Sequence, residues 1–579
     1  MIFFETLVIS MAIYALWNGI ALPATYFIAS ILLGILLVIL VLKGLQRYSI
    51  FYILLMYLLM RNVYYLASHY TSIPFGDTYQ NYGVLRNFLQ RGNVFVIHTQ
   101  TPFPFEDRFV WFSEWPLLET LAQSLCLVSS IDPFHIVLLL PFVLSIGQYV
   151  FAYLIVEKIR QSLNLSGLVT TLSLFAYAIS PELIFYSSIF VHNNMGLLLL
   201  NAIFYLLIKR VSKRDRVLTV LTIFFAISLV FAHHFTSFVA LFYMFFFFAV
   251  AIIGKYLSSG IKKAVHLFST RTSTSFFSVL AMVTLAVLFS YWNSYATIIW
   301  PTIATKVTLR GMGEITAILK TPYYPNSLTP TWGLLLLRLR DALIYVPVTL
   351  GFLFIIRMRK ASPQKFFVIC SSLALGTLFV YTSIVAEEPS RIAMYAMPFV
   401  GLCYGIFHGR FRNKSRFFFN MLVPALIVLM TFSSFTGLWG HNYMPAHLYD
   451  PSINQVDMGE HNFHYLRLTQ FFDNYIEYEN FNYIVADDVY PLYVVLPPKH
   501  YEKIQTIEIG IQATKSHVLI VEFSHLNLYY YYYYVPPEVK PWEIESTRSS
   551  LERHLDQNYH VIYSDGDFRI RRNCESADK

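Results

Sequence analysis

Residues 133–163 read PFHIVLLLPFVLSIGQYVFAYLIVEKIRQSL. From Phe134 to Val156 there is no charged side chain, and as a helix the run covers the roughly 30 Å of a hydrocarbon layer. It ends in Glu157-Lys158-Ile159-Arg160, so bases stand at one mouth of the apolar run. Twelve comparable runs flank it, near 4–20, 24–42, 49–69, 166–186, 193–208, 217–232, 235–254, 275–293, 341–356, 366–385, 391–408 and 417–439. Thirteen spans are therefore predicted. The runs are continuous rather than alternating, which excludes a membrane β-barrel.

Composition agrees. Of 579 residues, 56% are hydrophobic and only 13% charged, against about a quarter charged in soluble domains. So few charges cannot cover the several polar surfaces that a soluble chain of this length needs. The net charge of +8 is unevenly held. Residues 441–579 carry 20 of the 34 acids and 11 of the 42 bases. A basic membrane part and an acidic tail account for the balance, and nucleic acid is not an expected partner. Cys126, Cys370, Cys403 and Cys574 show no metal-ligand spacing, so neither disulfides nor a structural zinc is expected. The first apolar run lacks a basic n-region and is soon followed by another, which reads as a retained helix rather than a cleaved signal.

Six short loops set the direction. Bases fall at 43–47, 158–160, 209–216, 255–271, 357–365 and 410–416, opposed only by Glu157 and Asp215. By the positive-inside rule these loops and the N-terminus are cytoplasmic. Segments 70–133 and 294–340, and everything after 440, are then outside. Residues 116–130 are apolar but short, and a crossing there would invert every later basic loop. They are predicted to form a helix at the outer interface. The tail has strand-like runs at Asn482–Ala486 and His517–Phe523. A helix-like Thr547–His554 leads into a hairpin, Val561–Tyr563 and Phe568–Ile570, around Ser564-Asp565-Gly566-Asp567. The tyrosine run Tyr529–Tyr534 suits either a headgroup-level segment or a packed strand. The fold class is an all-α polytopic membrane protein with a small C-terminal α/β domain outside. Its parts are 1–48, two helices; 49–440, the main membrane domain; and 441–579, the tail.

The polar residues that stand out lie on the outer side. Pro74-Phe75-Gly76-Asp77-Thr78-Tyr79 follows a span, and an acid at that depth can take a proton from an alcohol or hold a divalent ion. It would equally cap a short helix over 78–90. Glu106-Asp107 and Glu114 follow in the same segment; paired acids can divide such duties, while Glu114 and Glu119 could instead simply face water. His192-Asn193 opens the span at 193, where polar groups near lipid suggest function but could also cap the helix. His233-His234 sit at another outer turn, able to bind phosphate or shuttle a proton, or simply to make the turn. Glu387-Glu388-Pro389-Ser390-Arg391 opens a later span. Its guanidinium could fork onto a lipid phosphate or pair with Glu387 or Glu388. Arg61-Asn62, inside the third span, calls for an internal partner.

Taken in order, these segments resemble the GT-C superfamily of glycosyltransferases that use polyprenyl-phosphate sugars, which includes protein O-mannosyltransferases, lipid A aminoarabinose transferases and oligosaccharyltransferases. The likeness covers roughly 49–440. It is carried by Phe75-Gly76-Asp77, by Trp115-Pro116-Leu117-Leu118, by the turn Ser180-Pro181 to Tyr186 and by the span opening on Arg391. The turn His233-His234-Phe235-Thr236-Ser237 is similar to one found in a poorly characterised, mainly archaeal branch. The chain departs from many relatives in having Asp77-Thr78 where they have adjacent acids, and His192-Asn193 where they have an acid. The Trp-Trp-Asp signature of oligosaccharyltransferases is absent from the tail, so transfer to an N-glycan sequon is not expected.

The resemblance implies an integral-membrane glycosyltransferase. A sugar on a polyprenyl phosphate would be delivered at the outer face to a lipid, glycan or protein acceptor. Asp77 and Glu114 would be catalytic, and Arg391, His233 and His234 would hold the donor phosphate. His192, Asn193 and Glu387 are further candidates for the cleft. Metal dependence stays open: Mg or Mn, held by Asp77, is the ion if one is used. The alternatives are a lipid or polysaccharide transporter or flippase, whose site would sit near the midplane, and a non-catalytic envelope assembly protein.

Overall fold

The fold is that of a computed structural model, which describes residues 10–11, 24–67, 76–92, 115–180, 183–184, 187, 190–212, 215–253, 274–294, 331–358, 362–384, 389–414, 416–437 and the strands given below. The chain divides into two compact units. One comprises Met1–Tyr64, Glu114–Leu118 and Leu138–Tyr449; the other comprises Tyr65–Ser113, Glu119–Val137 and Asp450–Lys579.

The described helices, in chain order, are α1 (Ala24–Leu42), α2 (Gln46–Ala67), α3 (Gly76–Arg91), α4 (Leu117–Ser129), α5 (Pro133–Leu163), α6 (Gly167–Ala178) and α7 (His192–Ser212). They continue with α8 (Arg216–Ala232), α9 (His234–Ile253), α10 (Thr274–Ser294), α11 (Thr331–Arg357), α12 (Pro363–Ile384), α13 (Pro389–Lys414) and α14 (Arg416–Gly437). Twelve of the thirteen apolar runs thus coincide with helices. The run at 4–20 lies outside the described residues. Among those residues α5 alone is long and apolar enough throughout to cross a membrane by length and composition. Shorter apolar stretches stand in the others, such as Ile28–Leu42 in α1 and Arg216–Ala232 in α8.

Three boundaries differ from expectation, each for a local reason. Helix α6 ends at Ala178 and not near 186, because Ser180 precedes Pro181, whose ring disfavours helix in the residue before it. Helix α11 begins at Thr331, inside the expected outer segment 294–340, and carries Arg338, Arg340 and Asp341 within it. A length criterion for apolar residues finds only the part of a helix that suits hydrocarbon. Helix α3 begins at Gly76, so Asp77 is in its first turn, neither in a loop nor at a cap before residue 78.

In the first unit α6 is buried on all sides, with Val169 through Ala178 all inaccessible. Helix α13 lies against it through Gly401, Gly405 and Gly409, spaced one turn apart. A methyl at Gly401 would overlap the Ser173 carbonyl oxygen, and one at Gly405 the Val169 carbonyl oxygen. Small residues at this spacing let two helix backbones touch, the usual device where lipid removes any hydrophobic drive. Helix α11 approaches α13 in the same way, Gly351 lying on the Cys403 carbonyl. Phe204, Tyr243, Phe247, Phe367 and Phe399 form an aromatic core, with ring centroids 4.6 Å apart for Phe204–Tyr243 and 4.9 Å for Phe247–Phe367. The outward surface is apolar. Val217, Val220, Leu221 and Phe224 make one exposed stripe along α8 at helical spacing. Such a stripe suits lipid.

In the second unit Gln123 of α4 donates to the Phe88 carbonyl of α3 at 3.1 Å, and Tyr82 meets Phe134 edge-on. The helix expected at 116–130 is α4. The tail strands are β1 (Tyr483–Ala486), β2 (Ile504–Thr506), β3 (Val518–Phe523), β4 (Tyr559–Ser564) and β5 (Phe568–Asn573), in the order β2-β1-β3-β5-β4. Strand β1 runs parallel to β2 and β3, while β5 is antiparallel to β3 and β4. Strand β1, Tyr-Ile-Val-Ala, and the first four residues of β3, Val-Leu-Ile-Val, are continuously apolar, a pattern common in parallel strands. Strand β5 alternates, Phe568 and Ile570 against Arg569 and Arg571, as a half-covered strand does. Thr547–His554 and Tyr529–Tyr534 lie outside the described residues.

Candidate functional site

The polar cluster of the first unit forms where α8 turns into α9. Helix α8 stops at Ala232 and His233 takes an extended conformation (φ −168°, ψ 124°) before α9 starts at His234. The turn is tied to its own backbone. Ser237 Oγ lies 2.8 Å from the carbonyl oxygens of both Leu229 and His233, which share its one hydrogen. The backbone N–H of Thr236 points at His233 Nδ1 across 3.3 Å, the geometry of an N-cap.

The side chains then bridge three helices. His233 Nδ1 is 2.7 Å from Thr236 Oγ1. Thr236 Oγ1 is 2.9 Å from the hydroxyl of Tyr395 on α13, and that hydroxyl is 3.3 Å from Asn193 Oδ1 on α7. His233, Thr236, Tyr395 and Asn193 are all buried. Close approach depends on Gly196 of α7, where a methyl would sit 2.7 Å from Thr236 Oγ1 and 3.2 Å from His233 Cβ. The two histidine rings lie 4.7 Å apart, and His234 stacks obliquely on buried Trp115 at 4.4 Å. Both rings therefore belong to one cluster.

A second chain fixes the start of α7. Gln148 of α5 donates to the Asn194 carbonyl at 2.8 Å and also meets its side-chain oxygen. Asn194 Nδ2 and Ser145 Oγ both donate to the Ser187 carbonyl, at 3.2 and 3.0 Å. His192, the first residue of α7, is buried there.

Of the residues singled out in the sequence, His192, Asn193, His233 and His234 are thus in or beside one buried cluster. Asp77 and Arg391 are placed by backbone alone, each in the first turn of its helix, α3 and α13. Arg61 and Asn62 are likewise placed only by the backbone of α2. Glu106, Asp107, Glu114, Glu387 and Glu388 lie outside the described residues. Glu119 is buried within α4, not on a water-facing side as one reading of it had it. Among the described residues no three His, Cys, Asp or Glu side chains gather as a metal site. Tyr395 escaped the sequence reading. The available signal was its spacing: it follows Arg391 by four residues and so shares a face of α13 with it.

Solved structures share this fold. The chain superposes on the oligosaccharyltransferase of Archaeoglobus fulgidus in its apo form with a TM-score of 0.52 at 11% identity, over 84% of this chain and 70% of that one. The same enzyme tethered to an acceptor peptide with an NVT sequon gives 0.51 at 12%, over 91% and 74%. ArnT from Cupriavidus metallidurans bound to undecaprenyl phosphate gives 0.51 at 9%, over 92% of this chain and 99% of that one. At such identities the likeness is one of fold, and it agrees with the resemblance carried by the sequence. No family profile and no curated protein matches the chain in sequence.

Proposed function

We propose that this chain is a membrane glycosyltransferase that moves a sugar from a polyprenyl-phosphate carrier to an acceptor hydroxyl at the outer membrane face. The observation that carries this reading is the shared fold over nearly the whole length of ArnT, whose structure holds undecaprenyl phosphate. Each residue role follows from chemistry. The acceptor oxygen attacks the anomeric carbon, the bond from that carbon to the phosphate oxygen breaks, and polyprenyl phosphate leaves with the electron pair. The acceptor proton passes to the Asp77 carboxylate, with Glu114 orienting the acceptor. Arg391 and the His233–His234 pair hold the phosphate.

The position of Arg391 supports its role. A cation in the first turn opposes the helix dipole, so helix stability does not explain it. A phosphate there gains from both the guanidinium and the N-terminal N–H groups. A divalent ion at Asp77 would supply further charge for the leaving phosphate; no step above is routed through one. The acceptor is a lipid, a glycan or a protein.

Asp77→Asn tests the catalytic assignment. Asn and Asp are similar in size and in polar capacity at a helix start, so the variant should fold. Loss of the base should lower sugar transfer by about a hundredfold or more. Transfer by purified Asp77→Asn protein at near the wild-type rate would remove Asp77 from the chemistry.

A further inference from the structure

At the far end of α13 from Tyr395 the first unit holds a cavity of about 340 Å³. Its lining includes Asn164, Leu165 and Ser166 of the turn between α5 and α6, Met358 after α11, and Gly409 and Arg410 of α13. Each of these segments lies in or beside one of the six basic loops. By the charge reading the cavity is therefore at headgroup depth on the cytoplasmic side.

One wall is tied in place. Arg160 Nη1 donates to the Leu165 carbonyl at 2.7 Å, and the Leu165 N–H returns to the Arg160 carbonyl at 3.0 Å. Asn164 takes the left-handed conformation (φ 54°), which asparagine tolerates better than most residues. Glu157, the acid nearest in sequence, is already engaged by Arg160 at 2.6 and 2.8 Å and by the Thr170 hydroxyl at 2.8 Å.

Arg410 is held differently. Its guanidinium lies over the Phe354 ring at 5.4 Å, and that ring stacks on Phe407 with the planes 10° apart. Stacking uses the face of a guanidinium and leaves its N–H edge for an anion. Among the described residues no carboxylate pairs with Arg410. The hydroxyl of Ser166 makes no cap bond to α6. The cavity thus presents a fixed cation and a hydroxyl beside apolar Leu165 and Met358.

We propose that this cavity binds the phosphodiester of an anionic phospholipid of the inner leaflet, with Arg410 forked onto the phosphate and Ser166 as a second donor. Basic pockets between the inner ends of membrane helices suit anionic headgroups. The apolar part of the wall suits the glycerol and the first acyl carbons, for which a free phosphate has no counterpart. A bound headgroup would join α6, α11 and α13 at this end. The choice of leaflet rests on the basic loops; binding at Arg410 does not, and the test reads binding.

The full chain is placed in nanodiscs of phosphatidylcholine with increasing phosphatidylglycerol, and its thermal midpoint is measured. In wild type the midpoint should rise and then saturate. Arg410 is exposed, so Arg410→Gln should fold. The variant should need roughly tenfold more phosphatidylglycerol for the same rise, the scale of lost charge-assisted hydrogen bonds. Arg410 near a helix C-terminus also complements the dipole, but losing that lowers the midpoint alike in every lipid mixture. Arg412 is the control. It is exposed on the same helix but lies over Phe419 at 5.7 Å and does not line the cavity. Arg412→Gln should keep the wild-type response. A wild-type response in Arg410→Gln overturns the proposal. So does an equal loss in Arg412→Gln, the mark of diffuse surface charge. An equal rise from glycerol phosphate added to pure phosphatidylcholine discs overturns it too, since the ligand would then be a soluble phosphate.

Discussion

At the residue scale the sharpest question is Arg391. Its helix start is the wrong place for a cation unless an anion joins it, and Glu387 and Glu388 are the local anions that could do so. The two readings separate by geometry. A guanidinium forks onto two phosphate oxygens, which a lysine ammonium cannot copy. Arg391→Lys should therefore weaken undecaprenyl phosphate binding about tenfold and Arg391→Ala further, the scale of lost charge-assisted hydrogen bonds. An ion pair near the surface, worth about 0–1 kcal/mol, would leave lipid affinity unchanged in both. Equal affinity in wild type and Arg391→Ala would take the residue out of the site. Part of the buried polar cluster was legible because polar residues are costly in an apolar chain. His192, Asn193, His233 and His234 stand out for that reason. Tyr395 does not, being one of 42 tyrosines and lying 159 positions from its hydroxyl partner Thr236. Polarity marks a residue in sequence, but only the fold shows which distant residue it bonds.

At the scale of elements the sequence is most informative where burial in lipid sets the pattern. The apolar run at 24–42 is α1 residue for residue, and those at 217–232 and 366–385 match α8 and α12 to within a few residues. It is less informative where a helix continues past the hydrocarbon, as α11 does across Arg338 and Arg340. The helix interfaces were legible too, though only in spacing: Gly401, Gly405 and Gly409 repeat every four residues on α13. That stripe makes a test. At Gly405 an added methyl meets the Val169 carbonyl and the Ser173 hydroxyl, whereas at Gly376 of α12 nothing lies within 4 Å. Gly405→Ala should force α13 from α6 and cost about 1–3 kcal/mol. Gly376→Ala should be neutral or slightly stabilising, since Ala favours helix over Gly by up to about 1 kcal/mol. Thermal unfolding of the two variants in one detergent checks this, and equal midpoints would mean that the stripe does not set the interface.

At the scale of the whole molecule the charge pattern decides which face the site occupies. Six loops hold 21 bases, and only Glu157 and Asp215 oppose them. Both acids are engaged locally. Glu157 is held by Arg160 at 2.6 Å and by Thr170 at 2.8 Å, and Asp215 caps α8 through the Val217 N–H. The loops therefore keep a strong positive excess, and loops of that kind stay in the cytoplasm. The thirteen spans expected from the sequence, an odd number, would then put the two ends of the chain on opposite sides. The N-terminus should be cytoplasmic and the tail sheet outside, on the side of Asp77, the His233 turn and the start of α13. Single cysteines at positions 213 and 500, in a chain with Cys574 replaced by Ser, can be labelled in intact cells with a membrane-impermeant maleimide. Cys126, Cys370 and Cys403 are buried and should give little background. Position 500 should label at once and position 213 only after permeabilisation. The reverse result would put the His-His turn and Asp77 in the cytoplasm, where nucleotide sugars are at hand, and the case for a lipid-carried donor at the outer face would fall with it.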